Sequence, residues 1–66
     1  MVQFAVAQNE GEWAVFRDGE VLRRGMSRSR AVEEAESLAG EAREAGDEVE
    51  LLVQDYIGEL RTRRTP

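Results

Sequence analysis

The sequence predicts an α+β fold: an antiparallel β-sheet of order β-β-β-α-β-β with one amphipathic helix packed on one face. Three observations predict it. Apolar residues alternate with a period of two in "VQFAVAQ" near the start and in "EVELLVQ" near the end, as half-buried strands do. Asp18-Gly19 separates two short apolar runs, and Asp-Gly is a favoured pair for a two-residue hairpin turn. Between these regions "MSRSRAVEEAESLAGEAREAG" changes period, with Ala31, Ala35, Leu38, Ala42 and Ala45 spaced by fours and threes, so that apolar side chains line one helical stripe.

Each element follows from local chemistry. Val2, Phe4 and Val6 share one face of the first strand, and Gln3, Ala5 and Ala7 the other. "NEGE" supplies turn residues, and "EWAVFR" reads as the second strand, closing a hairpin on a short loop containing Gly11. After Asp18-Gly19, "EVLRR" reads as a third strand, short and Arg-rich in the manner of an edge, ending at Gly25. Ser27 or Ser29 can cap the helix, and Gly46 suits its left-handed C-terminal cap. Gly40 falls on the polar side and weakens the helix by about 1 kcal/mol relative to Ala. Val49, Leu51 and Val53 alternate in a fourth strand, "DYIG" turns, and "ELRTR" offers a fifth. One domain over residues 1–62 and a short basic tail over 63–66 account for the chain.

A chain of 66 residues buries about 60% of its unfolded surface, which leaves a thin core. The helix stripe is mostly Ala, so core bulk must come from the strands, and Trp13, on the same face as Val15, is expected in that core. The apolar fraction of 41% and charged fraction of 35% fit a folded domain. No apolar run approaches a membrane span and no signal peptide is visible, so a cytoplasmic location and no membrane association are expected.

The residue inventory bears on chemistry. Cys, His and Lys are all missing, which excludes disulfides, thiolate or imidazole metal sites, Ser-His and Cys-His nucleophiles and Schiff-base lysines. Carboxylates abound, but they crowd an exposed helix face. Those in "GDEVE" alternate along a strand rather than converge in a loop, and no phosphate-cradling Gly loop occurs. No catalytic activity, cofactor or metal is therefore expected.

Charge points to surfaces instead. The net charge of −5 is uneven: eight acids lie between Glu33 and Glu50 against Arg43 alone. Arg23, Arg24, Arg61, Arg63 and Arg64 fall near the ends of edge strands and are the candidate nucleic-acid contacts, although an acidic total opposes polyphosphate binding.

The motifs "EWAVFRDGEV", "SRSRAVEEAESLA" and "GDEVELLVQDYIGELRTR" together resemble the short bacterial proteins catalogued as domain of unknown function 2188, over nearly the whole chain from Trp13 onward. The chain departs from that pattern in a helix about one turn longer, in Arg30 where the family has an acid, and in Ile57-Gly58 where it has Asp-Gly. The resemblance implies the fold but brings no activity. A weaker likeness, in element order alone, is to antitoxins of the HicB type.

One helix covers one sheet face. The covered face should carry Phe4, Val6, Trp13, Val15, Leu51 and Val53, leaving Ala5, Ala7, Ala14, Phe16 and Leu52 outside, with Tyr56 or Ile57 nearby. An exposed sheet face that is apolar at most positions marks an interface. The expectation is a protein-interaction or regulatory module that forms a homodimer through Phe16, Leu52, Ala5, Ala14 and Tyr56, with a further protein partner unidentified. The alternative is a weak nucleic-acid-binding module using the Arg clusters.

Overall fold

The computed structural model describes residues 1–55 and 58–62. Its elements are β1 (Val2–Asn9), β2 (Glu12–Arg17), β3 (Glu20–Met26), α1 (Arg28–Glu44), β4 (Val49–Gln54) and β5 (Leu60–Thr62). The five strands form one sheet in the order β3-β2-β1-β4-β5. The basic tail expected over 63–66 lies outside the described residues, as do Tyr56 and Ile57.

The α+β class and element order are those the sequence predicts, but the sheet is mixed. Three strand pairs are antiparallel and one, β1 with β4, is parallel. The reason is topological. Two hairpins leave β3 running parallel to β1, and the helix then carries the chain back across the sheet, so β4 enters in the direction of β1. A parallel neighbour needs such a crossover.

Both hairpins turn on two residues with positive φ at each. Glu10 and Gly11 lie at 52° and 82°, and Asp18 and Gly19 at 48° and 87°. This is the twist-matched geometry that favours Asn-Gly and Asp-Gly. The second turn also docks onto β1: the Asp18 amide donates to the Gln3 carbonyl (2.8 Å), and the Gln3 amide donates to Asp18 Oδ1 (3.0 Å). β3 runs past Gly25 to Met26 rather than stopping, because two register shifts against β2 absorb extra residues.

The helix opens on Ser27, whose Oγ accepts from the Arg30 amide at 3.3 Å. It closes on Ala45, with Gly46 at φ 92° just beyond. Gly46 donates to the Arg43 carbonyl and Asp47 to the Ala42 carbonyl, the paired bonds of a left-handed C-terminal cap.

α1 packs on β1, β2 and β4. Phe4, Val6, Val15, Leu51 and Val53 from the sheet meet Ala31, Val32, Ala35 and Ala39 from the helix, all buried. Four small helix residues let the axis approach closely while the strands supply the volume. Trp13 is half-buried at the margin of this cluster rather than inside it. Its position near the end of the sheet, paired with Gln8 and Met26, puts it beyond the buried helix stripe. There the Arg28 guanidinium closes over its ring, and Arg17 stands over Phe4 (5.9 Å) toward the other end of β2.

Candidate functional site

Two surfaces on this scaffold carry features that the core does not need. The first is the sheet face away from the helix. Strand register places Val21, Phe16, Ala5, Leu52 and Thr62 side by side in a row crossing all five strands. No residue in that row is charged. Phe16, Ala5 and Leu52 are half-buried, and Val21 and Thr62 are exposed. Beyond the row, strand alternation and register put the polar groups of this face toward its ends. Gln3 Nε2 donates to Glu50 Oε1 across β1 and β4 (2.8 Å), and Glu12 pairs with Asn9 at the opposite end.

Three candidate interface residues, Phe16, Leu52 and Ala5, thus fall together as the sequence predicts. Ala14 corrects the expectation: it is fully buried, with no surface left to offer a partner. Its methyl group is short and sits on β2, flanked by strands on both sides, so its neighbours cover it. Tyr56 lies outside the described residues. Val21 and Thr62 complete the row, and the sequence carries a signal for the first of them. A two-residue turn at Asp18-Gly19 pairs Arg17 with Glu20, which sets Val21 beside Phe16.

The sheet edges are poor routes to association. β3 is broken by two register shifts, and β5 has only three residues. Irregular and very short edge strands resist pairing with another chain.

The second surface is a groove between β3 and the N-terminal half of α1, lined by Leu22, Arg23, Arg24, Met26, Arg30 and Glu34. It exists because α1 packs on β1, β2 and β4, so β3 extends beyond the helix's cover. The register shift that pairs Arg23 with Val15 turns Arg23 to the helix side, where its Nε meets Glu34 Oε1 at 3.0 Å. Periodicity alone does not reveal this, because a uniform strand would pair Leu22 with Val15.

The candidate nucleic-acid residues do not form one patch. Arg23 and Arg24 stand on β3 and Arg61 on β5, at opposite edges of the sheet and about 19 Å apart by strand spacing. Arg61 is held by Asp55 Oδ2 (2.7 Å) and Glu59 Oε2 (3.6 Å). Arg63 and Arg64 lie outside the described residues.

Among the described residues there is no group of three or more acids placed to hold a metal ion, and no helix long and apolar enough to cross a membrane. In comparisons with protein-family models, curated proteins and solved structures, nothing matches the chain, so its functional reading rests on these two surfaces.

Proposed function

We propose that the chain is a non-catalytic interaction module that forms a two-fold homodimer, sheet face against sheet face. The observation that carries this reading is the uncharged row Val21, Phe16, Ala5, Leu52 and Thr62, which spans the uncovered side of the sheet. A second copy is the occupant that fits, because a two-fold rotation lays the uncharged row of one copy against the same row of the other. The helix occupies the other face and β3 is broken by register shifts, so among the described residues this face offers a broad apolar route to association. A standard interface takes about 800 Å² from each partner, which is about a sixth of the 4581 Å² this chain exposes.

Sedimentation equilibrium at tens of micromolar tests the proposal. A dimer mass that Phe16→Asp and Val21→Asp each reduce to a monomer, with the far-ultraviolet spectrum unchanged, supports it. A monomer at all concentrations overturns it. Val21 is the safer probe of the two, since it is the more exposed and its loss leaves the core intact.

A further inference from the structure

We infer that the groove between β3 and α1 binds an acidic peptide segment, with Arg23, Arg24 and Arg30 as its carboxylate contacts. The groove is a cationic island on an anionic protein. Its lining includes three arginines and one acid, Glu34, whereas the whole chain carries a net charge of −5. Arg24 and Arg30 have no ion-pair partner among the described residues, and Arg23, though it meets Glu34, keeps 64% of its side chain exposed. Planar guanidinium forks suit bidentate capture of carboxylates.

The helix start points the same way. The first turn of a helix favours acids, because the backbone amides there present partial positive charge. This helix has none in its first turn, and it places Arg28 and Arg30 there instead. A Glu at position 30 would complete a capping box with Ser27. Cations at this site therefore work against helix stability, while Arg28 covers Trp13 and Arg30 is left to face the groove.

Several features favour a peptide over a nucleic acid. The lining contains no aromatic ring on which a base could stack, and Trp13 is already covered by Arg28. Arg61 stands on the far edge strand of the sheet, so among the described residues no cationic track joins it to the groove. The groove walls also include Leu22, 47% exposed, and half-buried Met26. These give an apolar side chain between acids somewhere to rest. The groove is open rather than enclosed, which suits an extended segment and not a small sequestered anion.

The test uses the full chain and a fluorescein-labelled peptide of alternating Glu and Leu, read by anisotropy at low ionic strength of about 50 mM, where charge contacts are least screened. Saturable binding is expected, weakening as salt rises. Arg24→Ala with Arg30→Glu should reduce it about tenfold or more, while Arg61→Glu at the opposite edge leaves it unchanged. Arg30→Glu completes the capping box, so its thermal midpoint should match or exceed the parent's, which separates lost contact from lost fold. The monomeric Phe16→Asp chain should bind equally well, which keeps this result independent of the dimer. No binding of the peptide overturns the inference, as does binding that survives the Arg24 and Arg30 changes. Displacement of the peptide by an oligothymidylate of tighter affinity also overturns it, in favour of nucleic acid.

Discussion

The Arg28 guanidinium carbon lies 5.6 Å from the centroid of the Trp13 ring, so the first residue of the helix caps the tryptophan at the end of the sheet. A cation over a partly buried indole contributes about 1 kcal/mol. Arg28→Ala should destabilise the fold by about that amount and uncover one face of the ring. Trp emission should then shift to longer wavelength and quench more readily in the folded variant. An unchanged spectrum would show that the ring is shielded by other means.

Gly40 sits inside α1, and apart from the helix's own backbone nothing lies within 4 Å of where a Cβ would be. Its backbone is helical, so Ala fits without strain and removes freedom from the unfolded chain. Gly40→Ala should stabilise by about 1 kcal/mol, measured as a higher midpoint in urea with an unchanged slope.

Glu10 occupies the first position of the β1–β2 turn at φ 52°, a conformation that Asn accepts far more readily. Glu10→Asn creates the Asn-Gly pair that such turns prefer and should stabilise the fold. Thermal denaturation checks it. Destabilisation would mean that Glu10 makes a compensating contact in the folded state.

Leu51 is 1% exposed and sits beside Phe4 at the centre of the core. Removing a buried leucine to alanine costs about 2–5 kcal/mol. A domain of this size holds roughly 3–10 kcal/mol in total, so Leu51→Ala should lose a large share of its stability, read by circular dichroism as a much lower thermal midpoint. Leu52→Ala, one position on and on the outer face, should remain folded. If both behave alike, the assignment of faces in β4 is wrong.

The two proposed surfaces should answer to salt with opposite sign. Two copies each carrying −5 repel one another, so screening should strengthen the dimer while it weakens peptide binding. Sedimentation and anisotropy across one salt series read both effects on the same sample.

What the sequence revealed was mostly local. The Asp18-Gly19 turn, the Ser27 cap and the Gly46 cap each depend on a few neighbouring residues, and each stands where the residues put it. The two sheet faces follow from alternation, and alternation holds in β1, β2 and β4. It fails in β3, where two register shifts let Arg23 turn toward the helix and carry the strand past Gly25. No neighbouring residue announces a register shift, since it is fixed by pairing across strands. The parallel contact of β1 with β4 was hidden for the same reason: Gln3 and Glu50 bond across 47 positions of sequence. Arg30 is an intermediate case. Its placement at the helix start was visible as an oddity, but the groove it faces exists only once β3 and α1 are folded.

The central position of β1 has a kinetic corollary. Its two neighbours arise at opposite ends of the chain: β2 follows after a two-residue turn, whereas β4 returns only after the whole helix. Local hairpins close within microseconds, and distant pairings wait on loop closure. A species with β1, β2 and β3 zipped but β4 still absent leaves one side of β1 bare, presenting Val2, Phe4 and Val6 beside unpaired backbone. Such an edge recruits other chains. Refolding at high concentration should therefore lose yield to aggregates at that stage, and the docking of β4 is the event that ends the risk.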